Sequence, residues 1–122
     1  MKPLEGLLVA DFSRVLAGPM STQILADFGA RVIKVERPAG DGLRDMAWRD
    51  PRDGAGLWWK LVNRNKRTVA LDIKVDADRE VLFDLVDDAD VLVENSRPGT
   101  LERLGLGPDV LLARRPSLVI TR

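Results

Sequence analysis

Short apolar runs that do not alternate with polar residues, helix-forming stretches between them, and turn residues at the junctions predict an open parallel α/β sheet with helices on both faces, Rossmann-like in layout. The first run, LLVADF (Leu7 to Phe12), follows Gly6 as a buried strand would. SRVLAGP comes next, and Pro19 suits the first position of a helix. Met20, Ile24 and Phe28 then recur at four-residue spacing and predict the apolar, core-facing stripe of that helix, which Gly29 ends in a left-handed turn. RVIKVERP forms the second strand, with Val32, Ile33 and Val35 apolar and Pro38 as its stop.

Ala39 to Trp59 is polar and rich in Gly, Asp and Arg, and predicts a long surface excursion. TVALDI (Thr68 to Ile73) is the third strand. A helix over DADREVLFDLVDDA follows, with Val81, Leu82, Leu85 and Val86 on its inner face. DVLVE (Asp90 to Glu94) is the fourth strand, NSRPG a turn, and Thr100 to Leu106 a short helical turn. Pro108 opens another helix through Leu111, closed by Arg114, Arg115 and Pro116, before SLVITR (Ser117 to Arg122) as a fifth strand.

The 122 residues suit one domain with its own core. Nineteen cations balance 19 acids, which argues against a face-wide basic field for nucleic acid but leaves room for a local anion site. Cysteine and histidine are both absent, which removes disulfides, thiolate chemistry, the commonest metal ligand and the usual base near neutral pH. Neither a signal peptide nor a run of membrane-spanning length is visible, so a cytoplasmic chain with no membrane partner is expected.

Ligands of open α/β sheets bind beyond the carboxyl ends of the strands. Those ends deliver Arg14 and Val15 after the first strand and Glu36 and Arg37 after the second. Asp72 and Lys74 follow the third, and Asn95, Ser96 and Arg97 the fourth, with Arg103 a turn or two on. Cations and amides converging on one edge predict an anionic ligand. The denser cluster NRNKR (Asn63 to Arg67) precedes the third strand and is expected at the opposite, amino edge. Glu36 mimics the ribose-binding acid of dinucleotide folds, but the first turn lacks GxGxxG, and no GxxxxGK[ST] occurs. Trp58 and Trp59 read as packing, and Asp11, Asp27, Asp41 and Asp90 as turn, cap or strand-edge residues.

PLEGLLVADFSRVLAGPMSTQILADFGARVIKVERP, GDGLR, NRNKRTVALDIK and ADVLVENSRPGTLERLGLG, in that order and spacing, resemble the amino-terminal part of the class III CoA-transferases. The resemblance runs nearly end to end. It implies a transferase that moves CoA between an acyl-CoA thioester and a carboxylic acid, with CoA as substrate and no permanently bound cofactor or metal. On matching positions it implies CoA contacts from Val15, Arg37, Leu71, Lys74, Asn95, Ser96 and Arg103. Ser96 stands where some members carry an aromatic ring, and Arg14 and Leu16 differ from the polar pair beside the catalytic centre of formyl-CoA transferase.

The family's nucleophile is an aspartate, and its counterpart is expected beyond Arg122. Residues 1–122 are therefore expected to be a CoA-binding domain truncated before the catalytic aspartate, with no catalytic residue of their own. Interlocked homodimers are likewise implied. Two alternatives stand beside this reading: an α-methylacyl-CoA racemase-like enzyme, which shares this half, and a non-catalytic nucleotide-binding or interaction module.

Overall fold

β1 (Leu8–Asp11) is the centre of a five-stranded sheet, paired in parallel with β2 (Arg31–Glu36) on one side and β4 (Val91–Val93) on the other. β3 (Arg67–Ala70) extends β2 and β5 (Val119–Thr121) extends β4, both in parallel, so the strand order is β3-β2-β1-β4-β5. The chain leaves β1 toward β2 and later crosses back to β4. The strand order thus reverses beside β1, and a crevice opens at its carboxyl end. The structure, a computed structural model, describes every residue from Met1 to Arg122.

Alternate side chains of the central strands feed two cores. Leu8, Ala10 and Leu92 pack with Leu82 and Val86 of α3 (Asp76–Asp88) and with Leu111 of α5 (Pro108–Arg114). Val9, Val32 and Val93 pack on the other face against Ala26 of α1 (Ala17–Asp27). Two short helices complete the fold: α2 (Leu57–Val62), against α1, and α4 (Thr100–Arg103), beside the first core. Helices thus cover both faces, as two-sided apolar strands demand. Pro108 does open α5, and Gly29 takes φ 107° after α1.

Three expectations need correction. α1 begins at Ala17, and its stripe of Met20, Ile24 and Phe28 lies on the outside, each residue roughly half exposed. The helix instead buries Pro19, Thr22, Gln23 and Ala26, because Thr22 Oγ1 donates to the buried Asp11 carboxylate at 2.6 Å. In α3, Leu82 and Val86 face the core, but Val81 is one step off that stripe and exposed. The excursion is also less irregular than its composition suggests. A 3-10 turn at Gly42–Asp45 and the start of α2 lie within it. Asp50, buried, accepts from Arg52 Nε at 2.9 Å and Lys60 Nζ at 2.7 Å and organises the segment between them.

Candidate functional site

The loop after β1 is held from both sides. Asn95, following β4, forms a reciprocal pair with the Arg14 backbone: Arg14 N donates to Asn95 Oδ1 and Asn95 Nδ2 to Arg14 O, both at 2.8 Å. From β2, Lys34 Nζ donates to Ser13 O at 2.8 Å and pairs with Asp41 Oδ2 at 3.1 Å. Asp41 in turn accepts from Val15 N at 3.2 Å and from Leu43 N at 3.0 Å. Val15 sits at φ 68°, a left-handed conformation costly for a β-branched residue and sustained by these flanking bonds. Gly18 is required beside it, since a Cβ there would lie 2.3 Å from Ser13 Cβ.

Burial raises the Asp41 carboxyl, but the Leu43 amide and the Lys34 ammonium outweigh that and hold it below the usual carboxylate range. Lys34 has no exposed side-chain surface at all. A lysine in the middle of β2's apolar run was the available sequence signal for this pin, and sequence reasoning missed it.

Part of the NRNKR cluster lies at the amino edge as expected: Arg64 and Asn65 sit beside Asp27 at the end of α1, just before β2 begins. β3 enters late, with Arg67 opposite Ile33 in the middle of β2, and the Lys66 side chain reaches instead toward the carboxyl end of β1. Lys66 Nζ, fully buried, donates to Asp11 Oδ2 at 3.0 Å, Pro19 O at 2.8 Å and Asn63 Oδ1 at 2.9 Å. Burial pushes the Lys66 ammonium below the ordinary lysine range, against the pull of Asp11. Arg64 pairs with Asp27 at 2.8 Å, and Asn65 donates to the same carboxylate at 2.6 Å. The cluster therefore ties β3, β1 and the end of α1 together.

Charge pairing separates the remaining cations. Ten of the 19 lysines and arginines form ion pairs with carboxylates. Of the nine without a carboxylate, Arg14, Arg37, Lys74, Arg97 and Arg103 all follow carboxyl ends of strands. Arg37 Nε donates to Gly40 O at 3.0 Å, and the Arg103 guanidinium lies 3.4 Å from Thr100 Oγ1.

Two adjoining cavities of about 500 Å³ each lie along this edge. The first runs between the ends of β2 and β3 and α4, with Leu71, Leu82, Leu101 and Leu104 as walls and Arg37 and Lys74 at its rim. The second lies over the loop after β1, lined by Val15, Asn95 and Arg97. Arg14, Arg37 and Ser96 border both. Of the seven expected contacts, the structure thus brings Arg37, Leu71, Lys74 and Ser96 to the first cavity and Val15 and Asn95 to the second. Asn95 spends both its amide atoms on the Arg14 backbone, so it shapes the loop. Arg103 lines neither cavity but adjoins Thr100, which lines the first.

The carboxylates at this edge are all engaged. Glu36 accepts from Arg44 Nε at 2.7 Å, Trp59 Nε1 at 3.1 Å and Asp41 N at 3.1 Å. Those bonds occupy the acid that mimics a ribose ligand in dinucleotide folds. The Arg44 guanidinium stacks 3.7 Å from the Trp59 ring centre, which makes Trp59 a packing residue as expected. Asp72 accepts from Lys74 N at 3.0 Å, and Asp11 is locked by Lys66, Thr22 and Ser13. No three acids cluster in a way that could hold a metal ion.

Fold and edge together define a parallel α/β domain with an apolar-walled seat ringed by unpaired cations, suited to a ligand with both greasy and anionic parts. Residues 4–122 match CoA-transferase family III, and the chain belongs to that family. It is 43% identical to the probable fatty acyl-CoA transferase Rv3272 of Mycobacterium tuberculosis, over 99% of this chain and 31% of that protein. It is also 43% identical to the succinyl-CoA:mesaconate CoA-transferase of Haloarcula hispanica, over 98% of this chain and 31% of that protein. Among solved structures, a CAIB/BAIF family protein from Brucella suis superposes with a TM-score of 0.91 at 38% identity, covering 98% of this chain and 32% of that one. The chain spans about three tenths of the length of these relatives.

Proposed function

We propose that this chain forms the coenzyme A seat of an enzyme that moves CoA between an acyl-CoA thioester and a carboxylic acid. The observation that carries this reading is the sorting of charge. Inside the fold, lysines are matched to acids; along one edge, five cations are left without a carboxylate beside an apolar cavity. Coenzyme A combines an adenosine, three phosphate groups and an uncharged pantetheine arm, and so suits such an edge. The names of the relatives, all CoA-transferases or acyl-CoA transferases, support the same reaction class.

In this reading Leu71 and Leu101 wall the adenosine, and Arg37, Lys74 and Arg103 supply charge-assisted bonds to phosphates. Asn95 and the Lys34–Asp41 pair hold the Val15 turn where the arm would pass. The carboxylates of the edge are read as structural, so the chain contributes binding and not the nucleophile. The exposed stripe of Met20, Ile24 and Phe28, with Trp58 and Leu61 also exposed on the neighbouring α2, supports a homodimeric assembly that covers it. The cytoplasm is the compartment proposed.

Calorimetry of the chain with CoA tests the seat. CoA should bind, Arg37→Ala should weaken it about tenfold, the loss of one charge-assisted bond, and tripolyphosphate should compete poorly. Tripolyphosphate binding as tightly as CoA would reduce the edge to a nonspecific cationic patch.

A further inference from the structure

We propose that Arg79 is a positioning residue of the coenzyme seat: by binding the chain on two walls of the first cavity, it sets the spacing of the edge cations Lys74 and Arg103. This rests on the seat proposed above. Arg79 stands in the first turn of α3, is half-buried and lines neither cavity, so it acts from behind the wall. It is among the nine cations without a carboxylate, yet its guanidinium is engaged. Nη1 donates to Leu104 O at 2.7 Å and to Ile73 O at 3.3 Å.

Those two carbonyls belong to different walls. Ile73 follows β3 and Leu104 caps α4, and both residues line the first cavity. Each is the immediate neighbour of an edge cation, Lys74 in one case and Arg103 in the other. Neither carbonyl accepts a hydrogen bond from any other group in the protein. Leu104 O is one of the carbonyls that a helix leaves open at its end, and an arginine side chain suits it. One nitrogen thus joins the segment after β3 to the end of α4.

The surroundings are fitted to this bridge. Gly105 takes φ 70°, and a Cβ there would lie 3.1 Å from Arg79 Nη2, so the chain after α4 passes close to the guanidinium. The Phe83 ring, one turn further along α3, has its centre 5.6 Å from the guanidinium carbon. A partly desolvated cation without an acid adds little to stability that an apolar side chain of the same length would not. What the guanidinium adds is a fixed span between two stretches of backbone. A seat already held in its binding geometry avoids the cost of ordering its walls when the ligand arrives.

A double-variant cycle on CoA affinity, measured by calorimetry on the full chain, separates positioning from the alternatives. Arg79→Met keeps the stem and removes the bridge, and should bind CoA about tenfold more weakly, between the loss of one edge cation and of both. Lys74→Ala should weaken CoA about fivefold in the wild-type chain but less than about twofold in Arg79→Met, because loss of the bridge already disengages Lys74. Arg37→Ala should weaken CoA about tenfold in both backgrounds, since Arg37 follows β2 and bonds Gly40 O instead. Circular dichroism would establish that each variant folds. If Arg79→Met does not fold, the same cycle is run on Arg79→Gln, which keeps a shorter polar donor on the helix.

Wild-type affinity in a folded Arg79 variant would overturn the bridge and leave the coenzyme seat standing. So would a Lys74→Ala effect of the same size in both backgrounds, which would mean that Arg79 acts through its own charge or through general stability. Unfolding of both Arg79 variants would make the residue a requirement of the fold alone and overturn the proposal too. Failure of the wild-type chain to bind CoA would overturn the bridge and the seat together.

Discussion

Lys66 and Lys74 lie eight residues apart on either side of β3 and meet opposite fates. The Lys66 side chain is fully buried and tied to Asp11, Pro19 O and Asn63. Lys74 is exposed at the cavity rim and has no side-chain partner, its backbone N–H alone bonding Asp72. The same side chain is internal framework in one place and an unpaired cation at a cavity rim in the other. What separates them is the position of an acid. Asp11 ends β1 directly beneath Lys66, whereas the nearest carboxylates to the rim are already taken by Arg44, Trp59 and backbone amides.

The same contrast holds between β2 and the segment that follows it. Lys34 is sealed inside, locked to Asp41 and Ser13 O, while Arg37, three residues on, borders both cavities. A sheet of this kind buries its strands on both faces and opens only at the strand ends. Cations within a strand must find internal partners; cations just past it need not.

The sharpest way to break this division is to delete a framework cation. Lys66→Met should leave Asp11 charged and unpaired in the interior and cost about 3–5 kcal/mol of stability, measured by urea denaturation. An unchanged midpoint would mean that the pair is not structural.

A smaller loss, about 1–3 kcal/mol, is expected from Asp41→Asn, which keeps the shape but removes the charge that Lys34 faces. This variant also has a pH signature. Because the folded chain holds the Asp41 carboxyl below its ordinary value of 3.8, the unfolded chain takes up the proton first as the pH falls. Its contribution is therefore complete above that value and is lost as the pH drops below it. Asp41→Asn should flatten the acid side of the stability profile. It should not abolish the slope, since Asp27, Asp87 and Glu102 are also held low, each chiefly by an arginine.

Rim cations should behave in the reverse sense. Lys74→Ala should change the unfolding midpoint by less than about 0.5 kcal/mol while weakening CoA about fivefold at low salt, an effect that shrinks as salt screens the charge. A large stability loss in this variant would blur the division. At the bottom of the scale, Arg64→Ala removes an exposed pair with Asp27 and should leave the midpoint unmoved. Arg64 and Lys66 belong to one dense run of charge, so the gap between their two results isolates burial as the cause.

Much of the fold was legible. Five strands and the helices between them follow from apolar runs punctuated by Gly and Pro, and Pro108 and Gly29 act as their local chemistry predicts. The candidate edge was legible for the same reason, because residues just after a parallel strand are bound to lie there. Illegible were the outward stripe of α1 and the fate of Lys66 within NRNKR. Periodicity states that Met20, Ile24 and Phe28 share a face but not which way the face points, and here Asp11 draws the opposite, polar face inward. Likewise, charge density in NRNKR says nothing of the register that carries Lys66 to β1.

Sequence by itself determined the class of fold, the residues at its open edge and the family, since each depends on patterns local in the chain. Which cations are spent inside and which are left unpaired at the open edge was decided only in three dimensions. Ion pairs such as Lys66–Asp11, 55 positions apart, are made by strand order and register, and no local pattern encodes those.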